Sequence, residues 1–384
     1  MRAFIGLRAS RRLPRSLSWW LLILILTAPL GCRRPEPIAV GFLGGLTGRV
    51  ADLGIAGRDG AILAVEERNR AGGIHGRLLE LRIADDAQDE LTARAALQKL
   101  LDEGVVAVIG PMTSSMALAV QPLADARRTV LLSPTVSSDA LSGRDDFFLR
   151  TASTNAQGAR LLADYAAGEL GLTSINVLYD LGNRAYGESL YRSFASEFEA
   201  RGGRIAEVLT YTSGPEVNFL DLARQAGEKA EALLIIANAL DTGMLAQQLA
   251  KLGIRLPLMT GEWAATGDII EYGGAAVDGL RFFNTFDPGH DSPAYRRFRA
   301  AFEQRFGYDG GFAAAHAFDA AQVLFRALEK NPGRSGLKEA LLESGGFQGL
   351  QTELRLDRHG DVVRPHFPMT IRNGRFQVDG RVDD

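Results

Sequence analysis

Short apolar runs alternate along this chain with longer stretches whose apolar side chains recur at helical spacing. Runs such as 38–43, 105–109 and 130–132 have almost no polar face, the pattern of strands covered on both sides. Between them, 55–70 places Ile62 and Val65 one turn apart, and Gly72-Gly73 follows as a stop that tolerates positive φ. The first series therefore predicts strands at 38–43, 78–84, 105–109 and 130–132, with helices at 55–70, 90–102 and from about 115. The rhythm restarts after Arg150, with helices at 156–169, 186–200, 219–228 and 242–252. The strands of this second series fall at 175–179, 205–211, 232–237, 256–259 and 279–283. Helices at 294–306, 312–329 and 337–344 come next, then strands at 349–356 and 368–376, the last turning at Asn373-Gly374. Strands alternating with helices predict α/β architecture: two Rossmann-like lobes, each with a parallel sheet.

The chain has 384 residues, 46% of them hydrophobic and 23% charged, which excludes fibrous, disordered and multi-span membrane classes. Residues 1–31 carry five arginines and no acid, and the rest holds 38 basic against 46 acidic residues, a net charge of −8. So acidic a body is repelled by phosphate backbones, so nucleic acid is not an expected partner. The arginines run into the apolar stretch 19–26, which ends in small residues before Cys32, the layout of a signal peptide over 1–31. The stretch is too short for a membrane span, and Pro29 breaks it. Cys32 is the only cysteine, so no internal disulfide forms. Leu30-Gly31-Cys32 resembles the end of a bacterial lipobox, with Pro29 where leucine is usual, and Cys32 is accordingly expected to be the lipidated first residue of a spacer over 32–37. Arg11-Arg12 gives a faint twin-arginine export signal.

Catalytic chemistry is not evident. No phosphate-binding loop or dinucleotide fingerprint occurs, and the five histidines have no metal-binding spacing. Gly187-Glu188-Ser189 begins like a nucleophile elbow but falls within a predicted helix. No enzyme activity, cofactor or metal is expected.

Ligands of open α/β sheets bind beyond the carboxyl ends of the strands, so the loops there carry the candidates. Thr113-Ser114-Ser115 opens a helix, and reads equally as N-capping or as a carboxylate seat. Ser133-Pro134-Thr135-Val136-Ser137-Ser138 is a second hydroxyl-rich loop, and Tyr186-Gly187 and Gly261-Glu262-Trp263 follow two later strands. Tyr186 or Trp263 can cover aliphatic surface. Position alone favours a solvated loop charge for Glu262 over an ammonium partner.

The segment Asn69-Arg70-Ala71-Gly72-Gly73-Ile74-His75-Gly76-Arg77, with Asp85-Asp86, Ile109-Gly110-Pro111, Ser133-Pro134, Leu149-Arg150-Thr151 and Tyr186-Gly187, resembles the leucine/isoleucine/valine-type binding proteins of ABC importers, which have the class I periplasmic binding fold. The resemblance runs from about Ile38 to Val378. It implies two lobes joined by three crossovers near 152, 284 and 355: lobe 1 over 38–152 and 285–354, lobe 2 over 153–284 and 355–384. It further implies that Ser114 and Ser137 grip an α-carboxylate, that the Thr135 carbonyl and Glu262 hold the ammonium, and that Tyr186 covers the ligand. Leu53, Ala239 and Phe318 stand where the family often has aromatics, with Asp241, Ser115 and Trp263 as further pocket candidates. The expected function is an extracytoplasmic receptor that captures an amino acid or related zwitterion and delivers it to a membrane permease. On this reading it is monomeric, periplasmic or at the cell surface, and held to a bacterial membrane through lipid on Cys32. The competing reading is a lipid-anchored sensor or envelope-interaction protein that keeps the fold without transport.

Overall fold

A computed structural model describes residues 35–379; the expected signal peptide and Cys32 lie outside the described residues. The first part of the chain runs β1 (Ile38–Gly44), α1 (Ala51–Arg70), β2 (Leu79–Asp85), α2 (Glu90–Asp102), β3 (Ala107–Ile109), α3 (Ser114–Ala126), β4 (Val130–Ser133) and β5 (Phe148–Arg150). These strands form one parallel sheet of order β2-β1-β3-β4-β5. Neighbouring side chains on β1 point to opposite faces, so Phe42 joins the core shared with α1 while Leu43 joins the core shared with α2 and α3. Both faces being covered, β1, β3 and β4 need the near-unbroken apolar runs that the sequence has.

After β5 come α4 (Asn155–Asp164), β6 (Ser174–Asp180), α5 (Arg184–Ala200), β7 (Arg204–Tyr211), α6 (Phe219–Gly227), β8 (Leu233–Ile236), α7 (Ala239–Lys251), β9 (Leu258–Thr260), α8 (Gly267–Gly273) and β10 (Arg281–Asn284). The chain then returns to the first sheet through α9 (Pro293–Phe306), α10 (Gly311–Lys330), α11 (Leu337–Leu342) and the small hairpin β11 (Phe347–Gln348) and β12 (Glu353–Leu354). It closes with β13 (Phe367–Arg372) and β14 (Arg375–Val378), which extend the second sheet to the order β14-β13-β10-β9-β8-β6-β7. β6 to β10 are parallel, and β13 and β14 are antiparallel additions. Their turn has Asn373 at φ 50° and Gly374 at φ 68°, the mirror-image turn that the Asn-Gly pair predicts.

The helix α10 is buried nearly all round and lies against α1. Contact is close because residue 60 has no side chain: a Cβ there would fall 2.2 Å from the Ala314 carbonyl oxygen. The Asn69–Arg77 segment folds the chain from α1 into β2, with Asn69 bonding both N–H and C=O of Leu79 at 2.7 and 2.8 Å.

Four elements differ from the sequence expectation, the first being the seven-residue helix α8, which has no counterpart among the expected helices. β5 is a three-residue strand within a loop-like stretch, too short for periodicity to reveal. The helix expected over 156–169 is α-helical only to Asp164 and finishes in a π turn. In place of a strand over 349–356 the chain makes a two-residue hairpin, because Leu350 gives its N–H to Asp319 Oδ1 at 2.9 Å and not to a neighbouring strand.

Candidate functional site

In both sheets, two adjacent strands send their connections to opposite sides, β1 and β3 in the first, β6 and β8 in the second. Such divergence opens a crevice at the strands' carboxyl ends. A cavity lies there, lined by Leu53, Met112, Thr113, Ser114, Thr135, Ser137, Asn183, Tyr186, Glu262, Trp263 and Phe312. The structure thus brings together Ser114, Thr135, Ser137, Tyr186 and Glu262, from four separate loops or helix starts, with Leu53 and Trp263 beside them. The free space is about 280 Å³ counting the part open to solvent, of which about 20 Å³ is wide enough for the centre of a water molecule. That is room for one or two waters, so the walls are drawn together.

None of the hydroxyls at the start of α3 caps that helix. Thr113 donates to Gln88 Oε1 at 3.0 Å, and Ser114 Oγ accepts from the Ser138 N–H at 3.3 Å. The Ser115 N–H instead donates to Asn183 Oδ1 at 3.1 Å, from the start of α5, and Ser115 Oγ accepts from the Ala185 N–H at 3.1 Å. A side chain anchored in the second sheet therefore caps a helix of the first, and Ser115 spends its groups on this crossing contact without lining the cavity. Thr135 Oγ1 donates to the Met112 carbonyl at 2.6 Å.

On the opposite wall, Tyr186 is buried and its hydroxyl accepts from the Trp263 N–H at 3.3 Å, with the two rings edge to face at 5.7 Å. Gly187 lets α5 sit on β6, since a Cβ there would meet the Tyr179 ring at 3.1 Å. Glu262 Oε1 accepts from Thr285 Oγ1 at 2.8 Å and from the Thr285 N–H at 3.4 Å. Burial pushes the Glu262 carboxyl above its ordinary range, while the Thr285 bonds and the charge of Arg364 oppose the rise. Arg364 is buried and pairs with the equally buried Asp319 at 3.4 Å. Arg364 is thus the one cation among two buried carboxyls, Asp319 and Glu262, and burial raises both. His316 does not supply the balance, because burial and the nearby Arg364 push its pKa well below the ordinary value.

Three residues named from the sequence lie elsewhere. Ala239 is buried in the core at the start of α7. Asp241 is fully buried and ion-paired with Arg49, whose Nε is 3.0 Å from Asp241 Oδ1, and its Oδ2 accepts from the Tyr211 hydroxyl at 2.9 Å. Phe318 packs on Phe298 at 5.0 Å and lines a separate cavity of about 400 Å³ against α9. Thr113, part of the hydroxyl run that opens α3, also lines the site, as do Met112, Asn183 and Phe312, which the sequence does not single out. Met112 and Asn183 fall in candidate loops whose signal lies in other residues; Phe312 carries no signal beyond opening an apolar helix. Among the described residues no cluster of three or more His, Cys, Asp or Glu can hold a metal ion, and no helix is long and apolar enough to cross a membrane.

A family model for periplasmic binding proteins matches residues 37–375, nearly all of the described chain. The chain belongs to the periplasmic binding protein family. Among curated members, it is 30% identical over 253 residues to the Leu/Ile/Val-binding protein BraC3 of Rhizobium johnstonii, covering 65% of this chain and 68% of that protein. It is 24% identical over 334 residues to Leu/Ile/Val-binding protein homolog 3 of Brucella melitensis, covering 86% and 90%. Among solved members, the isoleucine complex of LivJ from Streptococcus pneumoniae superposes with a TM-score of 0.82 at 23% identity, over 88% of this chain and 97% of that one. The periplasmic binding protein fold expected from the sequence is thereby borne out, with two sheets of mainly parallel strands and a crevice at their carboxyl ends.

Proposed function

We propose that this protein is the solute-binding receptor of an ABC importer, and that it captures an amino acid or a closely related zwitterion in the crevice between its two sheets. The lobes are the two sheet units with their helices, and the segments around 152, 284 and 355 serve as the hinge. Ser114 and Ser137 take the ligand carboxylate beside the positive end of α3. The Thr135 carbonyl and Glu262 take the ammonium, while Tyr186, Trp263 and Leu53 cover the carbon skeleton. The names of the relatives, Leu/Ile/Val-binding proteins and an isoleucine-bound LivJ, support this ligand class.

The observation that carries the reading is the Glu262 carboxyl, whose nearby cation Arg364 is shared with Asp319, facing hydroxyls and a helix start across one cavity. A ligand ammonium completes that charge set, whereas a ligand without one leaves a buried carboxylate unpaired, at a penalty of several kcal/mol. With so little free space, the lobes part to admit the ligand and close on it. The closed form then docks on a membrane permease. Its place is the periplasmic side of a bacterial membrane, held there by lipid on Cys32.

Calorimetry of the mature protein against an amino-acid panel tests this. Micromolar or tighter binding of at least one amino acid is expected, with no binding of the matching deaminated acid and a loss of at least a hundredfold in Glu262→Ala. Equal affinity for the amino acid and its deaminated analogue would remove Glu262 from the role.

A further inference from the structure

We infer that a cavity on the far side of Glu262 is a second compartment of the binding site, taking an uncharged polar side chain of the ligand, a hydroxyl or a carboxamide. This rests on the amino-acid reading above and extends it. The two cavities share Ser137, Tyr186 and Glu262, so a ligand whose ammonium sits on Glu262 lies at the mouth of both. The second has about 30 Å³ wide enough for a water centre, the room of two or three water molecules, which suits a small terminal group.

Its lining combines apolar Leu162, Leu190 and Phe283 with polar Ser153, Thr154, Asn155, Thr260 and His366, and Glu262 is the one acid among them. Ser153 Oγ accepts from the Arg364 N–H at 2.7 Å, which leaves its own proton to donate. Thr154 stands at the N-cap position of α4, yet its hydroxyl makes no capping bond. His366 Nδ1 lies 3.1 Å from the Arg364 carbonyl, which can only accept, so Nδ1 carries the proton and Nε2 is an acceptor. Burial keeps that ring neutral. Gly158, inside α4, leaves Nε2 uncovered: a Cβ there would lie 3.5 Å from it. Glycine inside a helix with no positive φ weakens that helix relative to alanine, so the open space beside Nε2 gives this one a reason. Donors and an acceptor around one small volume fit a hydroxyl or carboxamide, and a second carboxylate is repelled by Glu262.

The test is calorimetry of the full mature protein with L-leucine, L-alanine, L-threonine, L-asparagine and L-glutamine, repeated on Gly158→Ala and His366→Leu. At least one polar amino acid is expected to bind as tightly as leucine or more so. It should lose at least fivefold in Gly158→Ala and tenfold in His366→Leu, while leucine and alanine stay within twofold. Gly158→Ala favours the helix, so folding is not at risk in that variant. Equal losses for polar and aliphatic ligands, or no loss for the polar ones, overturn the second compartment and leave the amino-acid receptor standing. Failure of every amino acid to bind the unaltered protein removes both.

Discussion

Arg49 reaches from the connection after β1 into the second sheet unit, where its Nε is 3.0 Å from Asp241 Oδ1 and 3.1 Å from Ser213 Oγ, and its guanidinium lies 5.6 Å from the centre of the Phe219 ring. Replacing it by methionine keeps the apolar stem and removes the charge. With the lobes together, Asp241 is then left with the Tyr211 hydroxyl and no cation; with the lobes apart, water reaches it. The variant therefore penalises closure selectively. Removing one partner of a fully buried pair costs about 3–5 kcal/mol. The Asp241 side chain is 0% exposed and that of Arg49 27%, which reduces the figure to about 2 kcal/mol. At about 1.4 kcal/mol per tenfold, affinity for the best amino acid should fall roughly thirtyfold. Burial, with a contribution from Asp241, pushes the adjacent Asp180 up to about 6, and Arg49 counteracts it. Protonation of Asp180 below that value removes its repulsion of the unpaired Asp241, so the loss should shrink from pH 8 to pH 5. Calorimetry across that range gives the number, and small-angle scattering of the unliganded variant should show a more extended particle. Unchanged affinity at pH 8 with an unchanged scattering profile would refute the clamp.

Further outcomes follow from other contacts. Gly60→Ala drives a methyl into the Ala314 carbonyl 2.2 Å away and should lower stability by about 1–3 kcal/mol, read as a drop in urea midpoint. Arg150 is fully buried and ties Asp361, the Ser138 carbonyl and Ser142 Oγ together at 2.6–2.9 Å; Arg150→Met should cost about 2–4 kcal/mol in denaturant unfolding. Burial, then the charges of Asp52 and Glu271, raises Asp268 to about 6. The stability this group contributes is complete below its unfolded value near 3.8 and is lost as pH rises through 6. Asp268→Asn should therefore raise Tm at pH 7.5, with the gain fading toward pH 4.

Strand and helix order could be read from the sequence because parallel strands buried on both faces leave uninterrupted apolar runs, as at 38–43 and 232–237. Loops at the carboxyl ends were recognisable for the same reason; within them it was the resemblance to the leucine/isoleucine/valine-type binding proteins that pointed to Ser114, Thr135, Ser137, Tyr186 and Glu262. What the sequence hid was partnership across the chain. Nothing local to Asp241 shows that Arg49, 192 positions away, occupies it, and the hydroxyl of Ser115 looks identical to that of Ser114 until the Ala185 N–H is seen against it. Phe312 and Phe318 differ by less than two helical turns on α10, yet only the first reaches the cavity. Which one does so depends on the rotation of that helix, which its packing on α1 sets.

Thr285, which holds Glu262 through both its hydroxyl and its N–H, belongs to the second passage between the sheets. On the proposed reading, the acid that meets the cargo is fastened to the very backbone that bends for the mouth to gape. Loading and release would then share a mechanical part, so that selection for tighter capture at this position would also retune how readily the jaws reopen at the membrane.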